Sequence, residues 1–249
     1  MTKERFKYLT MIMMVIAHSQ FLFNQGSIPQ IALIIFNVAA TFVPVAMTYF
    51  VVEGYYKTKS LKRYILRLGI AGIIAIPFQG YLIGIYGFTF LATLALCLIE
   101  CLVFDKCKYI FIRIPAYICL FVIGDLLFEG GLTTLISALI FLIGKKRGLS
   151  LLQIFSIIGI FYSIYDIVPM LILEDNSRLV IYCRIIETIS AFCTYFIVKA
   201  CENHTETATI NRKSWHKYIP YIFYPSHFVI FSIVKYFIGY YCYIGEKIN

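Results

Sequence analysis

The sequence predicts an all-α, polytopic helical membrane protein, with about nine transmembrane helices and a cytoplasmic N-terminus. Three observations lead there. Of the 249 residues, 61% are hydrophobic and 14% charged, whereas soluble domains are nearer half apolar and a quarter charged. The apolar residues gather into runs along the whole chain, each close to the roughly 20 residues that a bilayer core requires. Basic residues sit between those runs, and mainly in alternate connections.

In order, the runs cover approximately 6–23, 30–52, 64–84, 88–104, 109–128, 131–144, 151–173, 179–199 and 218–243. The first follows a basic start, "MTKERFKYLTMIMM", and lacks a small-x-small cleavage site, so it reads as a retained helix. The second carries Asn37, Thr41, Pro44 and Thr48 at i, i+4, i+7 and i+11, one helical face. Only "DKCK" separates the fourth from the fifth, and the sixth is short enough to be partly re-entrant. The seventh repeats a polar stripe with Ser156, Gly159, Ser163 and Asp166. Either stripe serves close packing through small residues or lines a polar cavity. Arg184 and Glu187 of the eighth are three apart and positioned to pair. In the ninth, "YIPYIFYPSHFVIF", Tyr224 and His227 face one side, and Pro225 frees a backbone carbonyl and bends the helix. That bend shapes a polar pocket or serves packing alone.

The basic residues orient the runs. Lys3, Arg5 and Lys7 precede the first; Lys57, Lys59, Lys62 and Arg63 follow the second. Lys106 and Lys108, then Lys145, Lys146 and Arg147, then Arg212, Lys213 and Lys217 mark every second connection after that. The intervening "NQGS", "GIYG", "EGG" and "EDNS" hold almost none apart from Arg178. This alternation places the N-terminus inside and the C-terminus outside. The net charge of +9 therefore belongs to helix flanks facing lipid headgroups, and no basic face exists for nucleic acid. The eight cysteines lie mostly within or at the ends of apolar runs, where Cys acts as a small apolar residue, so neither a disulfide framework nor a metal site is expected. Residues 1–249 read as a single domain without internal repeats.

Charge in hydrocarbon is costly, so ionisable groups inside the runs are functional candidates: His18, Glu53, Arg67, Glu100, Arg113, Asp125, Asp166, Arg184, Glu187 and His227. Glu53, Arg67, Glu100 and Arg113 fall toward the inner side, and His18, Asp125, Asp166, Arg184 and His227 nearer the middle or outer side. Arg113 and Glu100 read most simply as interface electrostatics, and a lone membrane histidine is more often a hydrogen-bonding group than a catalyst. Asp125 and Asp166 are candidates to line a polar cavity.

The stretch "VVEGYYKTKSLKRYILRLGIAGIIAIPF" resembles the TraX family of membrane proteins, within the acyltransferase type 3 superfamily. It matches that family's pattern at Glu53, Gly54, Tyr55, Thr58, Tyr64, Arg67, Leu68, Pro77 and Phe78. "FTFLATLAL", "GDLLFEGGL" and "FYPSHFVIF" are similar to later family segments, in the same order. The resemblance implies acyl transfer in the bacterial cytoplasmic membrane, with acetyl-CoA as donor and a peptide N-terminus or other small envelope-associated molecule as acceptor. It makes His18 the candidate general base. Glu53, His227 and Tyr224 join it as candidate catalytic residues, holding groups in place or stabilising developing charge. Arg67, Arg63 and Lys62, with Tyr64 and Thr58, become candidates for binding the donor's phosphates. Two departures stand out: Ala17 occupies the place of the family's aspartate before the histidine, and "NVAATFVP" lacks its Gly-Arg. Asp125 or Asp166 could supply the missing carboxylate from another helix. A transporter or exporter, and a catalytically silent assembly or immunity subunit, are the alternatives.

Overall fold

Each apolar run forms one helix, because a helix satisfies its own backbone polar groups where water is scarce. The computed structural model describes residues 2–23, 28–84, 86–173, 178–202 and 218–248, with the backbone alone at 166–173, 178–184, 187, 202 and 239–248. Its helices are α1 (Lys3–Ser19), α2 (Gln30–Lys57), α3 (Leu61–Ile83), α4 (Phe90–Lys106), α5 (Ile110–Leu127), α6 (Gly131–Lys146), α7 (Leu151–Leu173), α8 (Arg178–Glu202) and α9 (Ile219–Ile248). A short 3₁₀ turn, Gln20–Leu22, extends α1, and no strand forms among the described residues. The expected 151–173 coincides with α7. The second and ninth helices run on, from 52 to 57 and from 243 to 248, because helical hydrogen bonding continues through the polar last turns after the apolar pattern stops. Among the described residues four helical segments are long and apolar enough to cross a membrane: Gln30–Lys57, Leu61–Ile83, Ile110–Leu127 and Ile219–Ile238.

The core is built around α4, whose Leu91, Leu94, Cys97, Leu98 and Cys101 are buried. Around it pack α2, α3, α5 and α6; α1 lies on α2, and α7 pairs with α8, which also leans on α2. The α3–α9 contact is parallel and pinned along its length. The Arg67 guanidinium lies 5.5 Å from the Tyr221 ring, Ser232 donates to the Phe78 carbonyl at 3.1 Å, and Lys235 donates to the Leu82 carbonyl at 2.5 Å. On the outside, α5 exposes Ile112, Ile114, Ile118, Val122 and Leu126, an apolar face larger than a water-soluble monomer presents.

The polar stripes serve packing. Thr41 and Thr48 are buried and donate to the carbonyls of Asn37 (3.1 Å) and Pro44 (2.7 Å) on their own helix. Ser163 donates to the Gly159 carbonyl at 2.9 Å and reaches Thr188 of α8 at 3.4 Å. Glu100 and Arg113 do not meet: Glu100 is fully buried without a hydrogen-bond partner, while Arg113 donates to the Cys107 carbonyl and covers the Phe104 ring. The side chains of Asp166, Arg184 and Glu187 lie outside the described residues.

Two connections depart from the helical pattern and meet inside the bundle. After α3 ends at Gly84 (φ 83°), the chain turns back so that Thr89 donates to the Gly72 carbonyl at 3.2 Å, about midway along α3. There it meets the α5–α6 connection: the Phe88 N–H donates to the Leu127 carbonyl and the Glu129 N–H to the Phe88 carbonyl, each at 2.9 Å. The Phe88 and Phe128 rings stack 4.6 Å apart. This junction fits because α5 and α6 touch through glycine, and a Cβ on Gly131 would stand 1.9 Å from the Gly124 carbonyl oxygen. Non-helical backbone inside a helical bundle is tolerated where its polar groups are paired or line a cavity. Here both conditions hold.

Candidate active site

The junction carries Glu129 into the space between α1 and α9, where the two histidines lie. His18 occupies the last turn of α1, and its Nδ1–H donates to the Met14 carbonyl at 2.9 Å. His227 donates in the same way from Nδ1 to the Phe223 carbonyl at 3.3 Å, so its Nε2 is the acceptor that stands 3.4 Å from His18 Nδ1. His18 Nε2 faces the other way, 3.6 Å from Glu129 Oε1.

The carboxylate is anchored through its second oxygen. Glu129 Oε2 accepts the first N–H of α4, from Phe90, at 3.0 Å, and the Tyr224 hydroxyl at 3.4 Å. That N–H is otherwise without an intrahelical partner, and a helix N-terminus favours negative charge. Thr93 holds the Glu129 backbone by donating to its carbonyl at 2.8 Å. The His18 ring, the Phe90 N–H and the Tyr224 hydroxyl all face this carboxylate. Phe228 packs its edge on His18 at 4.7 Å between ring centres and fixes the imidazole plane. An imidazole with Nδ1–H fixed and Nε2 beside a carboxylate can accept a proton at Nε2 and be stabilised as the cation.

Two cavities lie in the bundle, and Glu129 lines the smaller of them. The larger, about 960 Å³, is lined by Lys3, Lys7, Lys57 and Arg67 and by the apolar Met11, Leu91 and Leu94. Leu91 of its lining adjoins Phe90 and Met11 is two helical turns from His18, but His18, Glu129, Tyr224 and His227 are not in that lining. The smaller, about 620 Å³, is walled by Gln79 and Ile83 of α3, by Phe88 and Phe128, and by Asp125 and Glu129. Glu129, 32% exposed in its side chain, thus opens toward the smaller cavity.

The structure brings His18, Tyr224 and His227 together. Glu53 stands elsewhere, at the basic end of the bundle, with Lys3 at 3.7 Å, Lys145 at 2.5 Å and Lys57 in contact. Residue 53 sits near the C-terminal end of α2, beside the start of α1, whereas His18 is at the far end of α1; the helix rise of about 1.5 Å per residue separates them. Arg67, Tyr64 and Thr58 line the larger cavity. Lys62 and Arg63 do not: both are exposed, and Arg63 bonds Ser60 at 3.3 Å. Asp125 is exposed on the wall of the smaller cavity and does not reach His18. Among the described residues no group of three or more His, Cys, Asp and Glu could hold a metal ion.

The carboxylate beside His18 is therefore Glu129, which sequence reading left in a connection. Its one local signal is a lone acid between an apolar run and two glycines in "LLFEGG". That pattern also describes an ordinary surface turn.

A helical membrane protein with a histidine–carboxylate pair beside a cavity is the class that fold and site define. Residues 2–235, nearly the whole chain, match the model of the TraX protein family, and the chain belongs to that family. No curated protein and no solved structure matches it.

Proposed function

We propose that this protein is an integral membrane acyltransferase that moves an acetyl group from acetyl-CoA to an amine-bearing acceptor. The observation that carries the reading is the His18–Glu129 pair, whose carboxylate lines one cavity while basic residues line a second, larger one in the same bundle. Coenzyme A is polyanionic and would place its phosphates at Lys3, Lys7, Lys57 and Arg67, with its thioester arm running inward along the apolar wall toward Leu91. The acceptor would occupy the smaller cavity. Asp125, Glu129 and the unpartnered, buried Gln79 Oε1 suit a group rich in N–H donors, and among the described residues no basic side chain lines that wall.

In the transfer, the acceptor nitrogen bonds to the thioester carbonyl carbon while His18 Nε2 takes its proton. Collapse of the tetrahedral intermediate breaks the C–S bond, and the proton passes to the departing thiolate. The Glu129 carboxylate stabilises the imidazolium between the two events, the part an aspartate at position 17 would otherwise play; Ala17 itself is buried. Arg67, Tyr64 and Thr58 bind the donor; His227 and Tyr224 orient His18 and Glu129.

The topology belongs to the same reading. Lys3, Lys57 and Lys145, from three segments predicted to be cytoplasmic, converge on one carboxylate at one end of the bundle. We assign nine spans in a bacterial cytoplasmic membrane, that basic end inside, with the junction of the two non-helical connections within the bilayer.

The test is acetyl-CoA binding and turnover by detergent-purified protein. Arg67→Ala is expected to raise KM about tenfold with kcat within about twofold, because the lost contact is made equally before and during the reaction. A fall in kcat with KM unchanged would remove Arg67 from donor binding. No binding by folded wild-type protein would remove the acyltransferase reading.

A further inference from the structure

The smaller cavity carries two carboxylates, and the transfer step uses only one of them. Glu129 serves His18. Asp125, four residues earlier and two before the end of α5, has no hydrogen-bond or ion-pair partner among the described residues. Gln79 lines the same cavity from α3, four residues before that helix ends. It is 2% exposed, and its Oε1 accepts no hydrogen bond. A buried amide oxygen left so is costly unless a ligand donates to it. Aromatic rings complete the wall. Phe88 and Phe128 stack 4.6 Å apart, and Tyr86 lies flush on α3, where a Cβ on Gly80 would stand 2.4 Å from two of its ring carbons. Among the described residues no basic side chain lines the cavity. The Lys235 ammonium, on the neighbouring α9, donates to the Leu82 carbonyl instead, at 2.5 Å.

We propose that this wall binds a second, cationic nitrogen of the acceptor: one nitrogen of the substrate reacts, and another along the same alkyl chain stays an ammonium. The inference rests on the acyl-transfer reading and adds the acceptor's class. The nitrogen that attacks the thioester must be neutral, and its proton goes to His18 beside Glu129. An acceptor with no other charge leaves the Asp125 carboxylate unpaired over the cavity and Gln79 Oε1 unused. An ammonium answers both, because it brings three N–H donors with a full charge. Asp125 and Gln79 accept from it, and the faces of the Tyr86, Phe88 and Phe128 rings attract a cation. Gln79 and Asp125 each stand within about a turn of their helix ends, whereas Glu129 is set beside Phe90 and His18. The two nitrogens thus have separate places in one cavity of about 620 Å³. A free aliphatic diamine and a peptide's N-terminal lysine, whose side chain brings the second nitrogen, offer the same chemistry.

The experiment measures kcat/KM, per reacting nitrogen, for acetyl transfer in phosphatidylcholine nanodiscs. One pair of acceptors sets 1,5-diaminopentane against 5-aminopentan-1-ol, which carries a neutral hydroxyl in place of the second ammonium. The peptide pair sets lysyl-glycinamide against norleucyl-glycinamide. Wild type is expected to prefer the charged member of at least one pair by about tenfold or more, the effect of one charge-assisted contact. The pair that shows the larger preference names the source. Asp125→Asn should bring that pair within about twofold of each other, and Asp125→Glu should keep most of the preference. Asp125 is exposed, so both variants should fold. Gln79→Leu should narrow the preference too, and one left untouched by it takes the amide out of the site. A preference that survives Asp125→Asn, even with both acceptors slowed together, overturns the cation site. A wild type that uses all four acceptors equally overturns this inference alone, while one that acetylates none of them overturns the acyl-transfer reading beneath it.

Discussion

Glu129→Gln is expected to lower acetyl transfer at least a hundredfold while leaving acetyl-CoA affinity within about twofold. The substitution keeps the shape and the contact with the Phe90 N–H, and removes only the charge that faces His18 Nε2. Without it an imidazolium formed on the buried His18 ring lacks its carboxylate neighbour, so the barrier rises. His18→Ala should lose a similar or larger factor, up to about ten-thousandfold. The double variant should be little worse than His18→Ala alone, because the carboxylate acts through the ring. Release of coenzyme A thiol, read beside donor binding, measures both variants. Near-normal turnover by Glu129→Gln would detach the carboxylate from the reaction, and near-normal turnover by His18→Ala would move the base to His227.

Gly131→Ala is expected to be the most damaging single-methyl change for the fold. The added carbon would stand 1.9 Å from the Gly124 carbonyl oxygen and 2.2 Å from its carbon, and neither atom can move without separating α5 from α6. Overpacking of a core commonly costs about 1–3 kcal/mol; a clash between two backbones belongs at or beyond the top of that range. Gly124→Ala is the control, since its nearest obstacle is a methyl of Leu135, 2.5 Å away at the end of a side chain that can turn aside. Thermal unfolding in detergent should show a large fall for Gly131→Ala and a smaller one for Gly124→Ala. Equal falls would mean that the α5–α6 contact relaxes as a whole.

The contrast between what the sequence discloses and what it hides follows from range. Helices were legible because their signal is local: 151–173 coincides with α7, and the misses at 52 and 243 fall where amphipathic turns prolong a helix beyond its apolar pattern. Tyr224 and His227 were legible as partners because three residues on one helix share a face. Glu129 was not, since its partners lie 111 residues earlier at His18 and 95 later at Tyr224, and nothing local tells which helices adjoin. Asp125, four residues before Glu129, drew notice as an acid in an apolar run but points into the smaller cavity. Glu53 and His18 were joined by family pattern, which carries no depth along a helix; the structure puts them at opposite ends of the bundle.

His18 and His227 are 209 residues apart, and that distance sets the order in which the protein becomes competent. A chain emerging from the ribosome would assemble the basic rim early, from α1, α2 and α6, while its reacting centre still lacked His227, the Tyr224 hydroxyl on Glu129 and the Phe228 edge on His18. Only docking of α9 along α3 supplies them. A copy terminated before α9 would hold the basic rim without the groups that α9 sets around His18 and Glu129.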